Sequence, residues 1–120
     1  MSAKAEIRAQ ARKQLDRRLA PLRRAQDLTP PPRGWIRAVR ESIGMTMAQL
    51  AARTGVSQSR ITRIEAAEVN SAITLRTLRN IAEGMNCELV YALVPHGSLD
   101  KMAHLKPSLL AGDDLSQQIK

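Results

Sequence analysis

Aromatic side chains are almost missing from this chain: one Trp, one Tyr and no Phe in 120 residues. Any core must therefore be built from Leu, Ile, Val, Met and Ala, a composition that suits packed helices better than a β-sandwich. Cysteine is nearly absent too. A lone Cys87 excludes a disulfide framework and fits a reducing, cytoplasmic setting. With His96 and His104 it lacks the spacing of a zinc site. No apolar run approaches the roughly 18 residues that a membrane span needs, and the charged start has no apolar h-region, so no signal peptide is expected. The acids are scattered, with no pair set for acid–base work. There is no glycine-rich phosphate loop, and Ser57, within TGVSQ, is not in a nucleophile elbow. Together these absences point away from an enzyme, and no cofactor or metal is expected.

What the chain does have is positive charge. The formal net charge is +8, and it is unevenly spread. Residues 1–45 hold 11 basic and 4 acidic groups, residues 46–95 hold 5 and 4, and residues 96–120 hold 3 and 3. Such a balance favours a polyanion, most often nucleic acid. An arm that is basic only for solubility is the plainer alternative.

The organising stretch is Thr46–Glu65, TMAQLAARTGVSQSRITRIE. Met47, Leu50, Ala51 and Thr54 recur as the apolar or small face of a short helix, which Gly55 ends in the manner of a positive-φ cap. Val56 points inward, and Ser57 can cap a following helix through its hydroxyl. Ile61 and Ile64 bury one face of that helix. Gln58, Ser59, Arg60, Thr62 and Arg63 occupy the other. These side chains can read base edges and grip phosphates. The pattern is that of a helix-turn-helix with Ser57–Ala66 offered to the major groove; an ordinary αα-hairpin within a helical bundle has the same spacing.

Around this pair, residues 1–28 read as a basic amphipathic helix or arm. Ile7, Ala11, Leu15, Leu19 and Leu22 form its apolar stripe, and Pro21 ends it near Leu19 or Ala20. The stripe can dock on the domain or on a second copy, the basic face can lie on phosphates, or a partner can order the whole. Docking with the basic face outward is the reading we adopt. Residues 29–33, TPPPR, read as an extended linker. Residues 34–95 make the compact domain. Ile36, Val39 and Ile43 mark its first helix, and residues 65–72 read as a loop. A helix over residues 73–85, with Thr74 as N-cap, buries Leu75, Leu78, Ile81 and Ala82. Then CELVYALVP alternates, with Leu89, Tyr91 and Leu93 against Val90, Ala92 and Val94, as a strand does. A single strand leaves its ladder unpaired, so the expected solution is pairing with the same strand of another copy across a two-fold axis. One more buried helix is the alternative. Residues 96–120 read as a polar, partly disordered tail with a short helix over residues 98–105 capped by Ser98. The expected fold class is thus all-α, a lambda-repressor-like bundle with a C-terminal strand paired across a dimer.

Arg33–Pro95 resembles the Xre, or Cro/C1-type, helix-turn-helix regulators. In that family an Arg late in the first helix pairs with a Glu closing the recognition helix; Arg40 and Glu65 stand at those places. The family's base-reading positions fall on Ser57, Gln58, Ser59 and Arg63. Its usual phosphate-contacting Gln, one residue into the second helix, is Met47 here, so Thr46, Arg53 or the basic arm would have to substitute. A narrower resemblance is carried by QLDRRLAPLR, PPRGWIRAVRESIGMTMAQLA, ITLRTLRNIAE and CELVYALVP, over roughly Gln14–Met102. It is similar to the family called mobile mystery protein A, whose usual genetic companion is a Fic-domain protein. The strand is also similar to the intermolecular strand of persister-type antitoxins. The resemblance implies a homodimeric, sequence-specific repressor of an inverted-repeat operator in double-stranded DNA, acting on its own operon as the antitoxin-like partner of a Fic-type toxin. The alternative is an interaction module that neutralises a toxin and binds DNA weakly. An RNA adaptor is disfavoured by the want of stacking aromatics, and an effector-binding regulator by the want of a ligand domain.

Overall fold

The structure, a computed structural model, describes residues 2–24 and 27–105. It divides into two compact units, Thr29–Tyr91 and a second unit made from the two ends of the chain, Met1–Leu28 with Ala92–Lys120.

The first unit holds four helices: α2 (Trp35–Ser42), α3 (Met47–Thr54), α4 (Gln58–Val69) and α5 (Leu75–Gly84). Each contributes one fully buried aliphatic residue to a common core: Ile36, Leu50, Ile61 and Ile81. Ala51, Ile64 and Met85 complete it, with Val39, Met45, Met47, Val56, Ile73 and Leu78 packed around. Local chemistry sets the helix starts. Thr46, Ser57 and Thr74 each sit in extended backbone and accept from the amide three residues on, Gln49, Arg60 and Thr77, as N-caps do. Gly55 closes α3 in the left-handed region at φ 75°, where a side chain would be strained.

The unit made from the chain ends holds α1 (Ala3–Leu19) and α6 (Leu99–Ala103), each capped by a serine, Ser2 and Ser98. Pro21 lies in a 3-10 turn at Ala20–Leu22 that follows α1 directly. The two helices meet through ionic groups. Asp16 accepts from the backbone amides of Leu99 at 2.8 Å and Asp100 at 3.3 Å, and Arg12 Nε lies 3.2 Å from Asp100.

Several expectations need correction. No strand occurs among the described residues, and residues 87–95 carry neither strand nor helix. Alternation over Leu89–Val94 (Leu89, Val90, Tyr91, Ala92, Leu93, Val94) is a property of side chains, whereas a strand is made by a ladder, and here none is formed. Helix α4 runs on to Val69, where a loop was expected from residue 65, because Ala66, Ala67 and Glu68 are good helix formers. Ile43 and Leu75, expected inside, are about half exposed at helix ends. Helix α1 meets α6 through a polar face. Its half-buried residues are Ala5, Ala9, Arg12, Asp16 and Leu19, while Ile7, Ala11 and Leu15 are exposed. Small Ala5 and Ala9 and the Arg12 and Asp16 ionic groups suit a close polar contact better than the bulky stripe does. The weakly ordered tail expected beyond residue 105 lies outside the described residues.

Candidate nucleic-acid interface

Position in this interface begins with an anchor inside the domain. Arg40, on α2, reaches α4 with two hydrogen bonds: Nε donates to Glu65 Oε2 at 2.7 Å and an Nη donates to Oε1 at 3.2 Å. A further Nη donates to the Met45 carbonyl at 3.0 Å. Both residues are buried, and the Glu65 carboxylate pushes the Arg40 guanidinium above its already high ordinary value. A planar fork meeting a carboxylate fixes direction as well as distance. It therefore sets how α4 is rotated on α2. At the surface Arg37 binds Glu41 at 2.6 Å and holds that carboxyl below its usual range.

A second tie was not foreseen from the sequence. Glu68, on the last turn of α4, accepts from the amides of Trp35 at 2.7 Å and Ile36 at 2.9 Å. These are the first two amides of α2, which would otherwise lack partners, and a carboxylate also complements the positive end of the helix. Gly34 makes the approach possible. It sits at φ 87° and ψ 161°, a region open essentially to glycine alone, and a Cβ there would stand 2.7 Å from Glu68 Oε1. Nothing in the local pattern marks Glu68, because its partners lie 33 and 32 residues away.

With α4 so fixed, its inner face is Ile61, Ile64 and Glu65, and its outer face exposes Gln58, Ser59, Arg60, Thr62, Arg63 and Ala66. These outer side chains differ in how free they are. The Ser57 hydroxyl accepts from the Arg60 amide at 3.1 Å and lies 3.2 Å from the Ser59 hydroxyl, so it is occupied as a cap. The Thr62 hydroxyl lies 3.4 Å from Met47 Sδ and 3.3 Å from the Gln58 carbonyl, turned back toward α3. Gln58, Ser59 and Arg63 remain exposed along one side of the first two turns, with Arg60 beside them. Arg60 and Arg63 also border a shallow groove against Ala72, Thr74 and Thr77 at the start of α5.

On α3, Thr46 and Gln49 form a reciprocal capping box: Gln49 N donates to the Thr46 hydroxyl at 3.0 Å, and Thr46 N donates to Gln49 Oε1 at 2.9 Å. Thr46 is exposed, yet its hydroxyl is committed to the helix start. Met47 packs against the core. Arg53 donates from Nε to the Gly84 carbonyl at the end of α5, so it ties two helices together while its side chain remains at the surface. Gly84 also lets Thr54 pack closely here, since a Cβ would meet the Thr54 methyl at 2.4 Å.

Residues 36–91 match the family model described as helix-turn-helix. The chain carries a Cro/C1-type helix-turn-helix domain. Domains of this type are DNA-binding regulatory domains and are not typically enzymatic, and DNA is the partner the match supports. No curated protein and no solved structure matches the chain. Among the described residues no group of His, Cys, Asp and Glu is placed to hold a metal ion, and no helix is long and apolar enough to cross a membrane.

Proposed function

We propose that this helix-turn-helix protein is a sequence-specific repressor, binding an inverted-repeat operator as a homodimer and controlling its own operon as the antitoxin-like partner of a Fic-type toxin. The single observation that carries the DNA reading is the outer face of α4, where Gln58, Ser59, Arg60 and Arg63 stand exposed on a helix that two carboxylates, Glu65 and Glu68, lock onto α2. Gln58 suits a bidentate contact to adenine. Arg63 suits guanine or phosphate, and Arg60, bordering the groove at the start of α5, suits phosphate. Ser57 and Thr46 contribute through helix starts whose amides face the backbone of the duplex, and Thr62 and Arg53 sit at the edges of the contact. Two copies would place their recognition helices in successive major grooves, about 34 Å apart. The contact between copies is assigned to the apolar segment from Leu89 to Val94, in which Val90, Tyr91 and Leu93 are largely exposed; patches of this kind mark interaction surfaces. The toxin link rests on the resemblance of GWIRAVR and CELVYALVP to the mobile mystery protein A family.

One observation favours the second reading, a toxin-neutralising module that binds DNA weakly. Met47 replaces the phosphate-contacting Gln and is turned into the core, while nearby Gln49 is held in the capping box. A gel shift against the DNA upstream of the chain's own operon separates the two. A shift that survives excess non-specific competitor supports the repressor. Binding no stronger than to a scrambled duplex supports the neutralising module.

A further inference from the structure

Among the described residues the outward face of α1 has no partner, and it is not simply basic. Ile7 is 68% exposed and Leu15 45%, and Ala11 lies between them one helical turn from each. Gln10 and Gln14 border the stripe, and Ala3, Glu6, Ile7, Gln10, Ala11 and Gln14 line a shallow depression on this face, so the cations that a partner would meet lie on the other border, at Lys4, Arg8 and Arg18. Arg12 and Asp16, by contrast, are engaged with α6 on the opposite side. Over residues 2–24 there are eight Lys and Arg against only Glu6 and Asp16, and Lys4, Arg8, Arg17 and Arg18 are exposed.

Each possible occupant can be weighed by what it offers this face. A second copy of α1 would bring like charges together along its whole length, which is destabilising. Nucleic acid would satisfy the cations but gives nothing to Ile7 and Leu15, since phosphates reward only charge. An anionic membrane answers both, yet the stripe is narrow, carries two amides at its border and has no Trp or Phe to seat in the interface. A protein surface with an apolar groove rimmed by Asp and Glu answers both fully. We propose that α1 is a docking helix for an acidic protein partner, which takes Ile7 and Leu15 into an apolar groove while its carboxylates meet the flanking arginines. This site is separate from α4 and stands whether or not α4 reads DNA.

The test uses the full-length chain and fluorescein-labelled synthetic helices followed by anisotropy. One peptide carries a leucine seam flanked by Glu; a second carries the same seam flanked by Lys. The Glu-flanked peptide should bind, and the Lys-flanked one should bind at least about tenfold more weakly. Ile7→Ser with Leu15→Ser should weaken the Glu-flanked peptide by about tenfold or more. Both positions are exposed, so an unchanged circular dichroism spectrum confirms that the variant folds. Failure of the Glu-flanked peptide to bind, equal binding of the two peptides, or binding indifferent to the double substitution would overturn the proposal. So would capture of phosphatidylserine vesicles, or of a 20-base-pair duplex, that depends on Ile7 and Leu15.

Discussion

Two carboxylates of α4, Glu65 and Glu68, tie it to α2. Removing one partner of a buried ion pair leaves the other charge stranded, at a cost of about 3–5 kcal/mol. Glu65→Gln is therefore expected to destabilise the helix-turn-helix unit on that scale, read as a lower midpoint of denaturant unfolding by the fluorescence of Trp35. A midpoint within error of the parent would show that the pair is not what holds α2 to α4. Glu68→Ala removes two charge-assisted hydrogen bonds, with an expected loss of about 1–3 kcal/mol. Gly34→Ala should cost at least about as much, because the backbone region is open essentially to glycine and the new Cβ would meet the Glu68 carboxylate. If the Gly34 effect comes mainly through that carboxylate, Gly34→Ala and Glu68→Ala combined will cost clearly less than the two added; strict additivity would place the strain in the backbone alone. These residues also show where sequence reading stops. Ser57, Thr74 and Ser98 could be assigned as caps because the group each one binds lies three residues away. Glu68 could not, because its partners are far along the chain, and only the packing of α2 on α4 brings them together.

Among the elements, α3 and α4 were legible as a pair because apolar spacing, a terminal glycine and a capping serine all pointed the same way. Two other elements were not. The segment after α5 alternates as a strand would, but alternation describes only which side chains are bulky, and pairing needs a second segment. The contact of α1 with α6 has no apolar signature either, because it is made through small alanines and the ionic groups of Arg12 and Asp16. On α4 itself the expected division of labour is specific. Gln58→Ala should relax base preference at one position of each half-site, with about 1–3 kcal/mol of discrimination lost. Arg60→Ala should instead weaken binding to all sequences alike and lower the salt dependence. Competition binding with a panel of single-base operator variants distinguishes these outcomes. A uniform loss for Gln58→Ala would move that residue from base edge to backbone.

Across the whole molecule the positive charge is concentrated at the start of the chain: residues 1–28 hold 8 basic and 3 acidic groups, and the helix-turn-helix unit Thr29–Tyr91 holds 8 and 5. Affinity that comes from neutralising phosphates falls with salt in proportion to the number of contacts. A chain lacking residues 1–28 should bind its operator with a shallower salt dependence and an unaltered order of preference among sequences. An unchanged slope would show that these residues do not reach DNA. Sequence inspection found this charge asymmetry at once, but not that α1 is joined to α6, since Asp16 and Leu99 are brought together only by the fold.

The claim at the centre is that α4 selects the operator, and Arg63→Ala tests it most directly. Anisotropy titrations of the full chain and the variant are run side by side on labelled upstream duplex and a scrambled duplex at one salt concentration. The account predicts that the parent prefers the upstream duplex and that Arg63→Ala, with unchanged helicity and mass in solution, loses about tenfold or more of that preference. A variant that binds the upstream duplex as tightly and as selectively as the parent would contradict it.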